Sequence, residues 1–281
     1  MSTDREPVFL DAEGGGAPMV GIGSAGRSRN LVPAAVAFVA VVMLWEGGIR
    51  LFDVQAFVLP APSVIVGRFL ATSGEVWSAG LNTLIEALVG LVGGTVVAVF
   101  VSLVTVRWVP VREGLMPFAI AANSIPIIAL APIANGMFSL RSLVPKMVVV
   151  GIVVFFPVMI NTTRGLLEVD PDEIELMRSY AATPREVMWQ VRVPHALPYF
   201  FSAMKVVSVL SIVFAIVAEY FGGSQEVLGQ YILTKANLFV FPDAWAGILV
   251  ASILGLALYV VVVVSERLVM PWHVSFRAEV S

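Results

Sequence analysis

The chain has 281 residues, 58% of them hydrophobic and 13% charged, with a net charge of −3, no cysteine and two histidines. Soluble domains are about a quarter charged, so this composition leaves too little polar surface to solvate a globule and points to lipid as the solvent. The weak acidic charge excludes the basic footprint of a nucleic-acid binder. The missing cysteines exclude disulfides, Fe–S clusters and thiol catalysis, and His195 and His273 are too few and too distant in sequence for an imidazole metal site.

Residues 1–30 are polar, carry the run Gly14-Gly15-Gly16 and read as a disordered tail. Asp4, Glu6, Asp11 and Glu13 argue against a signal peptide, and Arg27 and Arg29 directly precede the first apolar run, so 31–49 reads as an uncleaved first span. Crossing the hydrocarbon takes about 20 apolar residues in a helix. The same test places further spans near 81–106, 115–138, 147–163, 199–221 and 244–265, with a tail at 276–281. The expected architecture is an all-α integral membrane protein of about six transmembrane helices.

Between the first two spans, Leu59-Pro60-Ala61-Pro62-Ser63 is a turn, and Ser63 is expected to cap a surface helix over 64–72 with Arg68 on its polar face. In the second span Gly90 and Gly94 form a G-x-x-x-G pattern suited to close helix packing, while Glu86 is expected to snorkel outward. Polar groups in hydrocarbon face a cavity or another helix. The third span, with Asn123, Ser124, Pro126, Pro132 and Asn135, is therefore the first candidate to line a pathway, or else a kinked helix bonded to its neighbours. Asn161, Ser208, Ser211 and Glu219 join the candidates, although a serine in such a helix also commonly bonds its own backbone. A loop at 222–243 holds a short re-entrant helix around 228–236.

Six spans starting inside put 1–30, 107–114, 164–198 and 266–281 in the cytoplasm, with eleven Lys and Arg against five on the other side, so both termini are expected inside. Lys205, at the inner end of the fifth span, is expected to snorkel.

The one long cytoplasmic loop, 164–198, carries ten charged side chains in 35 residues. Asp170-Pro171-Asp172-Glu173 has the chemistry of a helix start: a cap, a proline at the first position and acids at the positive helix end. That helix is expected to run to about Ala182. Thr183-Pro184-Arg185-Glu186 reads as a second start with a capping box, leading a helix to about Val193, after which Pro194 and Pro198 punctuate the return to the membrane. A bare connection needs only a handful of residues, so an ordered hairpin of this length suggests docking.

The loop resembles the signature of ABC importer permeases, Glu-Ala-Ala, three residues, Gly, nine residues, Ile-x-Leu-Pro. Here the register is Glu175-Leu176-Met177, then Arg178-Ser179-Tyr180, then Ala181, and finally Val191-Arg192-Val193-Pro194. Two alanines are replaced, and Ala181 stands where the family has Gly, which puts the bend between the two helices in question. Leu59-Pro60-Ala61-Pro62-Ser63, Phe156-Pro157 with Asn161-Thr162, His195-Ala196-Leu197-Pro198, Ala218-Glu219 and Leu228-Gly229 resemble the nitrate/sulfonate/taurine branch, over residues 31 to about 275. The stretch from Asn123 to Pro132 is more similar to members handling pyrimidine-type vitamin precursors or riboflavin than to the sulfonate members.

The resemblance implies a type I importer permease in a bacterial inner membrane, with a cytoplasmic coupling helix whose contact residues are Glu175, Arg178, Ser179, Tyr180, Ala181, Ala182 and Pro194. It also implies a second permease copy as a homodimer, a pair of ABC ATPase subunits, an extracytoplasmic substrate-binding protein and surrounding lipid. The chain has no G-x-x-x-x-G-K-[ST], so it is not itself an ATPase, and ATP and Mg belong to the partner. The alternatives are a secondary transporter, which needs coupling acids deep in the membrane, and a non-transporting membrane assembly subunit.

Overall fold

Inside hydrocarbon an unpaired amide has no water to turn to, so a spanning segment is helical because a helix bonds its amides within itself. The structure, a computed structural model, describes residues 27–122, 126, 129–137, 142–222 and 226–271, and the regular elements among them are all helices. In chain order these are α1 (Arg27–Leu51), α2 (Pro62–Ala71), α3 (Ser73–Arg107), α4 (Val109–Ala122), α5 (Leu130–Met137), α6 (Val144–Leu167), α7 (Pro171–Ser179) and α8 (Pro184–Val187). A π-helical turn at Met188–Arg192 then leads into α9 (Val193–Tyr220), followed by α10 (Leu228–Asn237) and α11 (Phe241–Val269). The chain divides into two units, Met1–Val41 and Val42–Ser281. The described part of the first is the leading portion of α1; the second holds everything that follows.

Five stretches among the described residues are long and apolar enough to cross a membrane: Val32–Leu51, Ser73–Arg107, Val144–Leu167, Pro184–Tyr220 and Phe241–Val269. The expected third span, 115–138, is not one of them. It is divided between α4 and α5, of 14 and 8 residues. At about 1.5 Å per residue each falls short of a hydrocarbon core about 30 Å thick. Pro126 lies between the two in non-helical backbone, where its ring removes a donor. Asn123 and Ser124 lie outside the described residues.

In the second unit α3, α6 and α9 pack on one another, and α11 and α10 close over α9. The seam is filled by Ala87, Leu91 and Ala98 of α3, Val150, Val154 and Val158 of α6, Val207 and Ala215 of α9, and Val250 and Leu254 of α11. The G-x-x-x-G reading is borne out. A Cβ built on Gly94 would meet Gly151 O at 2.5 Å, and one on Gly90 would meet Val150 Cβ at 2.6 Å, so the α3 and α6 backbones touch across hydrogen-sized side chains.

Polar bonds add the remaining ties. Lys205 does not snorkel; its Nζ lies 2.6 Å from Glu266 Oε2 and joins α9 to α11. Arg68 Nε reaches Asp243 Oδ1 at 2.7 Å and fixes α2 to the start of α11; this bond holds the guanidinium charged even more firmly than usual. Ser63 is not the cap of α2, which starts at Pro62 behind Ala61. Instead Glu46 of α1 accepts from Ser63 N at 3.0 Å and Ser63 Oγ at 2.7 Å, so the capping acceptor comes from another helix. Trp45 and Trp245 meet edge to face at 5.6 Å beside it.

The α3–α6 seam yields a paired test. Gly94→Leu should lower the melting temperature of the purified protein, at a cost of about 3 kcal/mol or more, because backbone rather than a flexible side chain must move. Gly93→Leu, whose Cβ would meet nothing within 4 Å, should melt with the wild type.

Candidate functional site: a charged hairpin and the helices that carry it

The hairpin is built by local rules before any tertiary contact. Asp170 Oδ1 accepts from Asp172 N at 2.9 Å and Pro171 takes the first helical position, so α7 starts where the sequence predicts. It ends at Ser179 rather than Ala182. Ala181 N donates to Arg178 O at 2.9 Å and Ala182 N to Met177 O at 3.0 Å, the paired bonds of a Schellman motif. That motif requires a left-handed residue between them, and Ala181 supplies it at φ 55°. Alanine therefore holds the bend that glycine holds in the family signature, at a cost of about 1 kcal/mol in backbone strain.

The second start is a complete capping box. Thr183 Oγ1 accepts from Glu186 N at 3.3 Å, and Glu186 Oε2 accepts from Thr183 N at 2.7 Å. From Pro184 the helix does not stop at Pro194 or Pro198 but continues to Tyr220. Pro194 lacks the N–H that would bond Gln190 O, and the chain answers by widening one turn: Val193 N reaches back five residues to Met188 O.

The base of the hairpin is closed by bonds between α9 and the end of α6. Arg192 Nη1 donates to Leu166 O at 2.9 Å, His195 Nδ1 lies 2.9 Å from Gly165 O, and Tyr199 Oη donates to Glu168 Oε2 at 3.1 Å. Sequence reasoning missed these ties, although the run His195-Ala196-Leu197-Pro198 was noticed as a motif. A groove under the hairpin is lined by Leu176, Met177, Val191, Pro194 and His195.

No side chain of α7 is buried. Glu175, Arg178, Ser179 and Ala181 are exposed at the tip, with Tyr180 at 75%. Ala182 is half-buried, and Pro194 is half-buried at the base, away from that surface. Leu176 is exposed beside the tip, and Trp189 is exposed toward the base, where it lines a pocket with Leu103, Thr162 and Leu166.

The pathway candidates do not gather on one open surface. Ser208 and Ser211 are fully buried and bond the carbonyls of Lys205 and Ser208 in their own helix. Asn161 Nδ2 donates to Pro157 O at 2.8 Å, again within its helix. Asn135 is buried and ties α5 to α9 through Ala218 O at 3.5 Å. Glu219 is fully buried and accepts from Gly229 N at 2.6 Å. Pro126 is exposed in the break between α4 and α5. Glu86, expected to snorkel, is fully buried as well, and so is Lys146 at the start of α6, whose burial no local pattern announces.

Residues 90–272 match the family described as binding-protein-dependent transport system inner membrane component. The formylaminopyrimidine transport permease ThiX of Halalkalibacterium halodurans is 29% identical over 248 residues, covering 88% of this chain and 98% of that protein. The riboflavin transport system permease RibX of Chloroflexus aurantiacus is 29% identical over 244 residues, covering 85% and 90%. Among solved structures, the crystal structure of an amino acid ABC transporter with histidines superposes with a TM-score of 0.58 at 17% identity, over 71% of this chain and 96% of that one, which shows a shared fold. The exposed signature hairpin, the helical membrane body and the match over residues 90–272 lead to one conclusion: the chain belongs to the binding-protein-dependent transport system inner membrane components and is a permease of the ABC importer type.

Proposed function

We propose that the hairpin at 164–198 is the cytoplasmic docking element through which a separate pair of ATPase subunits drives this permease, with α4 and α5 together making a sixth crossing and both termini on the same side as the hairpin. The carrying observation is that α7 has no buried side chain yet is ordered: capped at its start, closed by a Schellman motif, with the hairpin tied at its base to α6 and α9. A solvated connection has no use for that much local order. A protruding element that must receive force does, and the exposed Leu176 and Tyr180 among charged neighbours suit a partner groove.

The same reading includes a second copy of the chain completing the pathway, an extracytoplasmic binding protein delivering solute, and ATP with Mg2+ held by the ATPase partner. The solute is a small neutral heterocycle of the kind named for ThiX and RibX. Support for this comes from those relatives and from the scarcity of exposed charge on the spanning helices. Asn135, Asn161, Ser208, Ser211 and Glu219 then shape the pathway from behind by fixing helices, not by touching solute.

Three outcomes are expected. Charge reversal at Glu175→Lys should abolish co-purification with the ATPase and solute-stimulated ATP hydrolysis in liposomes while leaving the melting temperature unchanged; survival of both activities would remove the docking assignment. Because the chain has no cysteine, Ser179→Cys provides a single thiol, which an impermeant maleimide should label in inside-out vesicles and not in right-side-out ones. Ala181→Gly should slow amide exchange across 171–187 about fivefold, the equivalent of about 1 kcal/mol of relieved strain, whereas Ala181→Val should speed it.

A further inference from the structure

Far along α9 from the hairpin, α10 begins in an unusual way. Val227 offers it no side-chain cap, and its first amides are taken up by other helices. Leu228 N donates to Thr83 Oγ1 of α3 at 2.9 Å, and Gly229 N donates to Glu219 Oε2 of α9 at 2.6 Å. Gln230 Nε2 adds a bond to Glu219 O. The approach is so close that a Cβ on Gly229 would stand 2.7 Å from Glu219 Oε2.

Behind Glu219 lies a second carboxyl group. Glu86 of α3 is fully buried, its side chain is within hydrogen-bonding reach of Glu219, and neither Glu86 oxygen nor Glu219 Oε1 meets an N–H or O–H donor among the described residues. Lys146 of α6, also fully buried, donates to Ser142 O at 2.6 Å and adds its positive charge to both carboxyl groups. Tyr220 is a further titratable neighbour of Glu219 among the described residues, and Asn135 of α5 donates to the carbonyl of the adjoining Ala218. Among the described residues, two carboxylates against one ammonium leave an excess of one negative charge on groups shielded from solvent. Facing carboxyl groups relieve such an excess by sharing a proton. The backbone decides which of them stays ionised: Glu219 sits on the amide end of α10, where negative charge is favoured.

We propose that Glu86 carries that proton and donates it to the carboxylate of Glu219, making Glu86, Glu219, Lys146 and Thr83 a buried latch that positions the start of α10 against α3 and α9. This makes Glu86 and Glu219 positioning residues for α10, which is too short to span the bilayer and is held in place by these bonds.

The test uses the full chain in lipid nanodiscs and needs neither partner nor solute, so it stands or falls apart from the docking reading. At neutral pH the wild-type infrared spectrum should contain the carbonyl stretch of a protonated carboxylic acid, and Glu86→Gln should remove it. The carboxamide of Glu86→Gln has the shape and donor of the protonated acid, so this variant should melt with the wild type and leave α10 protected. Glu86→Ala, which strands the Glu219 oxygen, should speed amide exchange at Leu228 and Gly229 about tenfold. Either a wild-type spectrum lacking the Glu86 band, or Glu86→Gln behaving like Glu86→Ala in melting and exchange, including failure of both to fold, overturns the proposal.

Discussion

An apolar side chain gains nothing by leaving lipid for a protein interior, because lipid tails are as apolar as leucine. The assembly of this permease therefore rests on close backbone approach and on a small number of polar bonds. The contact of Gly94 with Gly151 is the clearest case of the first kind, since no larger residue at 94 would let α3 and α6 meet. The second kind fixes particular pairs of elements: Glu46 holds α2, Arg68 and Asp243 pin α2 to α11, and Lys205 and Glu266 pin α9 to α11. Each such bond is worth more as a register mark than as energy, because an ionic group left unpaired at that depth is costly.

Outside the hydrocarbon the logic reverses, and local chemistry suffices. The hairpin at 164–198 is organised by interactions within a few residues of sequence: Asp170 with Asp172, Met177 with Ala182, Thr183 with Glu186. This is why its start signals were legible in the sequence, and why the substitution of Ala181 for the family's glycine leaves the bend intact. A Schellman closure selects a left-handed backbone, and its two bonds offset the strain that alanine adds. The five long spans were legible for a related reason, since twenty apolar residues admit few other solutions.

What the sequence did not reveal depends on partners distant in the chain. Glu86 reads as an outward-reaching acid because nothing near it in sequence declares Glu219 or Lys146. Ser63 looked like a cap because its own chemistry suits one, yet Glu46 lies close enough to accept in its place. The prolines misled in both directions. Pro126 divides the expected third span, whereas Pro194 and Pro198 leave a helix continuous, because a single widened turn reroutes the bond that Pro194 cannot make. Whether a proline breaks or bends a helix depends on what else can satisfy the freed carbonyl, and that is a tertiary property.

The two helices that carry the hairpin are also two of those that meet at the α10 latch. On α6, Gly165 accepts His195 near one end and Lys146 lies near the other; on α9, Arg192 and His195 stand at the hairpin and Glu219 at the far terminus. A helix of 28 residues is a rod about 42 Å long, and its packed interior does not absorb displacement by continuous deformation. Movement imposed on the hairpin base is therefore delivered along α9, and the place where it must be accommodated is where that rod ends on α10 through a few hydrogen bonds. Bonds of that kind have discrete made and broken states, which a packed apolar seam lacks. The bonds at the hairpin base and the Glu219–Gly229 bond thus sit at the two ends of α9, and the glycine-lined seam holds α6 against α3 beside it.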